Sequence, residues 1–130
     1  MTGETDLSRL LKTMKPAHNA GDYVFCIVSD LNNIPIAETT MLFKEQEGFT
    51  LILTQSKADE FGLDYTAVFS WITLTVHSSL EAVGLTAAFS TALSAAGISC
   101  NVIAAYYHDH IFVGKNDTEK AMDILNSFSV

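Results

Sequence analysis

Positive charge is scarce in this chain: seven Lys and Arg stand against fifteen Asp and Glu in 130 residues, leaving a net charge of −8 at pH 7. No Lys/Arg cluster interrupts that balance, so the backbone of duplex or single-stranded nucleic acid is repelled rather than steered in. Long apolar runs are missing too. No stretch reaches the roughly 18 consecutive apolar residues of a membrane span, and "MTGETDLSRLLKTMKP" holds no apolar core fit for a signal peptide. The expectation is a cytoplasmic protein without nucleic-acid or membrane partners. The two cysteines, Cys26 and Cys100, sit in the apolar segments "YVFCIV" and "GISCNVI", with no CxxC or Cys/His spacing suited to zinc. Buried reduced thiols are expected, with one disulfide between them as the alternative. Neither has a neighbouring His, Lys or Arg to lower its pKa.

Catalytic signatures are equally thin. There is no GxSxG elbow, P-loop, GxGxxG or HExxH. His77 beside Ser78 does not make a base and nucleophile, because adjacent strand residues point to opposite faces. No cofactor motif is present, and no cofactor is expected.

What remains is a legible order of elements, with enough apolar residues for one ordinary core or two very small ones sharing a sheet. Leu7, Leu10, Leu11 and Met14 recur with helical spacing before Pro16. "DYVFCIV" is apolar on both faces, as a covered strand is. "IAETTMLF" and "FTLIL" read as a hairpin around "KEQEG", and "SKADEFG" as a short helix. "AVFSWITLTV" is the longest strand signal. Leu85, Ala88, Phe89, Ala92, Leu93 and Ala96 then hold one helical face up to Gly97. "ISCNVIAAYY" and "HIFV" should pair as a hairpin. Asn116 with Glu119 resembles a capping pair for a last helix carrying Ala121, Ile124, Leu125 and Phe128.

The order strand, helix, strand, strand, helix is the ferredoxin-like split βαβ pattern lacking one strand. "TLILTQSKADEF" and "IFVGKNDTEKAMDIL" echo each other, so two such units are expected: an N-terminal half over 1–65 and a C-terminal half over 66–130. With no linker between them, the halves are expected to share a sheet.

Within the second half, "AAYYHDHIFVG" raises a separate question. In an extended segment, His108 and His110 share one face and Asp109 takes the other. A metal would require a third and usually a fourth ligand, and only His77 is expected nearby, His18 lying in an unrelated polar turn. The plainer reading puts His108 and Asp109 at a hairpin tip, with His110 opening a strand whose Ile111 and Val113 face the core.

The segment "LTVHSSLEAVGLTAAFSTALSAAGISCNVIAAYYHDHIFV" closely resembles the ACT domain, carried by "VGL" at the helix start, "AAGIS" at its end and the "YYHDHIFV" hairpin. With "MKPAHNAGDYVF" and "EGFTLIL", the whole chain resembles small bacterial proteins built from two ACT-type halves. The resemblance implies an α+β fold of two ferredoxin-like halves with antiparallel sheet. The first half lacks the helix expected after "DYVFCIV" and the second ends on a helix, which a strand exchanged between halves would reconcile.

The same resemblance implies a non-catalytic regulatory module that binds an amino acid or similar small molecule. Carried over by position, the ligand-binding residues are Ser78, Ser79, Leu80, Glu81, Ala82, Val83 and Gly84, with Asn101, Val102 and Ile103 opposite and Asp109 for a cationic group. The chemistry is coherent: Gly84 lets a ligand approach the backbone, N–H groups at a helix start hold a carboxylate, and Glu81 or Asp109 accepts from an amino group. The competing reading is that Ser78 or Ser79 caps the helix and Gly84 only permits close packing. The alternative function is a structural protein that forms a homodimer or docks on an enzyme or regulator, through an uncovered strand face carrying Trp71, Thr73 and Thr75.

Overall fold

Helical spacing of Leu7, Leu10, Leu11 and Met14 leaves one face of the first helix apolar, and that face must find a core. The computed structural model describes residues 7–75 and 84–129. It contains α1 (Leu7–Thr13), β1 (Lys15–Val28), β2 (Met41–Lys44), β3 (Phe49–Thr54), α2 (Gln55–Glu60), β4 (Phe69–Thr75), α3 (Leu85–Ala95), β5 (Asn101–Ala104), β6 (Asp109–Gly114) and α4 (Thr118–Asn126). Two compact units divide the chain, one of Met1–Ala20 with Ser70–Val130 and the other of Gly21–Phe69. The N-terminal segment therefore completes the C-terminal half, as expected of an exchanged strand.

In the first unit the strands run β1, β4, β6, β5 across the sheet. Ser70, near the start of β4, hydrogen-bonds Thr118, just beyond the end of β6, so β4 and β6 are antiparallel. The hydroxyl of Thr75, at the end of β4, donates to the carbonyl of Lys15, at the start of β1. Alternation sends Ile72, Leu74, Ile111 and Val113 to the face covered by helices. There they pack with Leu10 and Met14, with Leu85, Phe89 and Leu93 of α3, and with Ala121 and Leu125 of α4. All of these are buried.

The second unit is a three-stranded antiparallel sheet in the order β2, β3, β1. Its register pairs Met41 with Ile52 and Phe25 with Ile52, so β3 is hydrogen-bonded on both sides. Val24, Cys26, Leu51, Leu53 and Ala58 form its core. Thr54 caps α2 by accepting from the Lys57 amide at 3.2 Å. Gly48 closes the β2–β3 hairpin, where any Cβ would stand 2.6 Å from the Val28 carbonyl oxygen, so only glycine fits.

Four local expectations differ from the structure. Ile36–Glu38 is a 3₁₀ turn rather than strand, because the Thr39 amide and hydroxyl both bond the Ile36 carbonyl, at 3.0 and 2.7 Å, and close the backbone on itself. β1 begins at Lys15, drawing His18 out of its expected turn through pairing with β4 that local polarity cannot reveal. Asn116 does not cap α4; a 3₁₀ turn over Lys115–Asp117 precedes it, held by Thr118 Oγ1 donating to the Lys115 carbonyl at 2.7 Å. The hairpin tip is Ala105–His108, closed by Ala105 N–H to the His108 carbonyl at 3.0 Å, and Asp109 is the first residue of β6.

The docking of α1 is the most directly testable part of the first unit. Leu10→Ala removes a fully buried side chain from a core whose other buried members, Met14 apart, lie between Ile72 and Leu125, and should destabilise the protein by about 2–5 kcal/mol. Urea unfolding with unchanged m-value would check it, and a loss below about 0.5 kcal/mol, the level of a surface substitution, would show α1 undocked.

Candidate functional site

One end of the first unit gathers the features that a small polar ligand would use. Because β4 and β6 are antiparallel, the end of β4 at Thr75, the start of α3 at Leu85 and the start of β6 at Asp109 lie toward the same end of the sheet. Gly84 is the N-cap of α3, with a left-handed φ of +95° and no side-chain cap. Its carbonyl accepts from Ala88 at 2.9 Å. The first-turn N–H groups of α3 thus receive no side-chain cap from Gly84, and the N-terminus of a helix favours an anionic group.

Gly84 also has a packing role. A Cβ there would lie 3.0 Å from Leu7 Cδ2, so both the backbone angle and the approach of α1 call for glycine. The N-cap position therefore belongs to Gly84 and not to Ser78 or Ser79. Ser78, Ser79, Leu80, Glu81, Ala82 and Val83 lie outside the described residues.

Asp109 shares the helix-covered face of β6 with Ile111 and Val113 and pairs with Ala104. Burial is the main influence on its carboxyl group and raises its pKa, against a smaller opposing effect from His110 and His108. No described residue hydrogen-bonds or ion-pairs with it. A half-buried carboxylate in that state is a ready acceptor for an ammonium or guanidinium group.

The three β5 positions divide between faces. Val102 lies opposite Ile111 and packs against the core. Asn101 and Ile103 pair with Phe112 and His110, and their side chains occupy the other face. Asn101 Nδ2 donates to the Phe112 carbonyl at 3.1 Å. β5 is the last strand of the sheet, and its outer main-chain groups are not paired by a described strand.

On that other face the structure assembles a polar network that single-residue reading of the sequence missed. Trp71 Nε1 donates to His110 Nδ1 at 3.0 Å, and Thr73 Oγ1 lies 3.0 Å from the same nitrogen. Asn19 Nδ2 reaches Thr73 Oγ1 at 2.9 Å and the Trp71 carbonyl at 3.3 Å. Trp71 stacks on Phe112, itself buried, with ring centroids 6.1 Å apart. His108 and His110 meet edge to face at 6.4 Å, and His108 Nδ1 is buried without a partner among the described residues. The available signal was the two-residue period placing Trp71 with Thr73 and His110 with Phe112. His110 is held below the usual histidine range, first by burial and then by His108, with Asp109 acting the other way. No group of three or more metal-ligating side chains forms among the described residues. Cys26 and Cys100 are free, and burial pushes both thiols up, Cys100 to about 11, which makes neither nucleophilic.

Comparison with known proteins follows the same lines. ACT-domain family profiles match residues 2–70 and 67–127. A Vibrio cholerae protein of unknown function, described as a possible transport protein, is 51% identical, with a TM-score of 0.86 over 95% of this chain and 96% of that one. An Agrobacterium tumefaciens protein shares the fold at 19% identity and a TM-score of 0.72, covering 89% of each chain. So does the regulatory subunit of aspartate kinase from Thermus thermophilus, at 9% identity and a TM-score of 0.66, over 90% of this chain and 97% of that one. Among curated proteins none matches.

Two outcomes are expected from the site residues themselves. Gly84→Val forces a β-branched residue to φ +95° and against Leu7, and should cost about 1–3 kcal/mol in a thermal or urea melt. The second concerns pH. The unfolded His110 takes its proton near 6.5 and the folded one only at lower pH, so its contribution to stability is present above 6.5 and is lost as pH falls through the folded-state value. Between pH 8 and 5, His110→Gln should flatten part of the parent's loss of stability; an unchanged pH profile would contradict the assignment.

Proposed function

Because the chain belongs to the ACT-domain family and consists of two tandem ACT domains, we propose that it is a cytoplasmic, non-catalytic sensor of an amino acid or related small molecule. Its repeats are residues 1–65 and 66–130. ACT domains are regulatory modules, and no catalytic domain is present among the described residues. Among those residues, no helix is long and apolar enough to cross a membrane. The single observation that carries the reading is Asp109: a half-buried carboxylate with no described partner, toward the sheet end where α3 opens on an uncapped glycine. In this reading the first turn of α3, with Gly84 and the preceding 78–83 segment, holds the ligand's carboxylate, and Asp109 its amino group. Main-chain groups of Asn101, Val102 and Ile103 along the free edge of β5 complete the recognition.

A second reading is homodimerisation or docking without a ligand. It is favoured by that same edge and by Ile27 and Phe43, 59% and 60% exposed, which flank Thr50 in one row across the second unit. The face of Trp71, Thr73 and Thr75 serves it less well, since Thr73 and Phe112 are already buried.

A thermal-shift screen of the twenty amino acids, nucleobases and small organic acids separates the two. A ligand at 100 times its Kd should add about 2.7 kcal/mol to stability. Asp109→Asn keeps the shape but removes the charge, and should lose about 1.5–3 kcal/mol of that ligand's binding. The folded-state pKa of Asp109 is raised, so its ionised form opposes folding at neutral pH. The variant should therefore melt no lower than the parent. Silence across the panel, with a dimer seen by light scattering, would favour the second reading.

A further inference from the structure

The indole N–H of Trp71 can donate a hydrogen bond and cannot accept one, so its 3.0 Å bond requires an unprotonated Nδ1 on His110. Neutral His110 therefore carries its proton on Nε2. A second proton, arriving at Nδ1, would set two N–H donors head to head, and the Trp71 bond must break. Thr73 can adjust, because its hydroxyl oxygen can turn from donor to acceptor while still facing Asn19. Trp71 has no such choice.

His110 is also the residue next to Asp109, on the opposite face of the same strand. We propose that His110 is a proton sensor tuning the Asp109 site: its protonation releases Trp71 and weakens the hold of Asp109 on a cationic ligand group, while a bound cation keeps His110 neutral. The inference rests on the reading of Asp109 as the ligand's acceptor and adds its regulation. Two positive charges either side of one short strand repel, and linkage makes the effect reciprocal. Each group acts electrostatically on the other in the coupled direction, His110 lowering the pKa of Asp109 and Asp109 raising that of His110, while burial sets the net direction of both.

Among the described residues, few charges bear on His110. From its own hairpin come His108 and Asp109. β4 presents Trp71 and Thr73, β5 presents Ile103, and β1 presents Asn19, none of which titrates in this range; Lys15 lies on the Asn19 face of β1, further toward the end of β4.

Trp71 is the chain's one tryptophan, so the full-length protein carries its own reporter. Its emission and the His110 ring resonances should change together between pH 8 and 5, with a midpoint below 6.5. The emission step should vanish in His110→Gln and persist in His108→Gln with a raised midpoint. Asp109→Asn should lower the midpoint. Methylammonium chloride should do so in the parent but not in Asp109→Asn, measured against sodium chloride at equal ionic strength. Each unit of that movement corresponds to a tenfold difference in cation affinity between the two protonation states. Trp71 emission that stays flat while His110 titrates overturns the proposal. So does a midpoint indifferent to Asp109→Asn or to methylammonium. None of these readings needs the natural ligand. A silent amino-acid panel with the midpoint shifts intact removes the ligand reading alone, whereas a ligand found without the shifts removes the proton link alone.

Discussion

The alternation of β4 is the constraint on which the first unit depends. Ile72 and Leu74 point into a core closed by three helices, whereas Trp71 and Thr73 point into a hydrogen-bonded network. A slip of one residue would bury an indole N–H and a hydroxyl among leucines and present two aliphatic side chains to His110. Each buried polar group left without a partner would cost about 1–3 kcal/mol, so the register is fixed from both faces at once. The helix face contributes most of the burial energy, and the polar face contributes uniqueness.

The same alternation on β6 separates two chemistries by one peptide unit. Asp109 goes with Ile111 and Val113 toward the helices, and His110 goes with Phe112 toward Trp71. Neither is satisfied as its neighbour is. Asp109 is half-buried with no described donor, while His110 meets a donor that insists on its neutral form. A strand can hold these opposite requirements side by side because its faces alternate at every residue. A helix would have set the two only about 100° apart, too little to give them opposite faces.

Much of this was legible in the sequence wherever burial imposed a period. The stripes of α1, α3 and α4, the pairing of the last two strands and the core-facing pair Ile111 and Val113 all follow from apolar spacing. The elements misjudged were those decided by partners distant in sequence or by a local polar bond. Lys15–Ala20 is strand because β4 lies beside it, and nothing in "KPAHNA" says so. Ile36–Glu38 turns because Thr39 bonds back to it. At the candidate site, Asp109 and Gly84 stood out by residue type, yet the reason for Gly84 lies partly in Leu7, a residue 77 positions earlier. The Asn19, Thr73, His110 and Trp71 network joins three strands and has no spacing of its own in the chain.

The energetics of Asp109 bear directly on what the fold is for. With no described residue offering it a donor, its ionised form opposes folding at neutral pH, and the fold gains nothing from it in return. An asparagine of the same shape would occupy the same place without that burden. On the sensor reading, that balance would change with a cationic group beside Asp109: the desolvation already borne by the carboxylate would be offset by a charge-assisted hydrogen bond, and the ligand would not have to supply it again. The net charge of −8 acts in the same direction at longer range, raising the local concentration of cationic species and lowering that of anionic ones. On that reading, a carboxylate that weakens the protein without a ligand and strengthens it with one would link occupancy to stability, which is what the proposed sensor would have available to report.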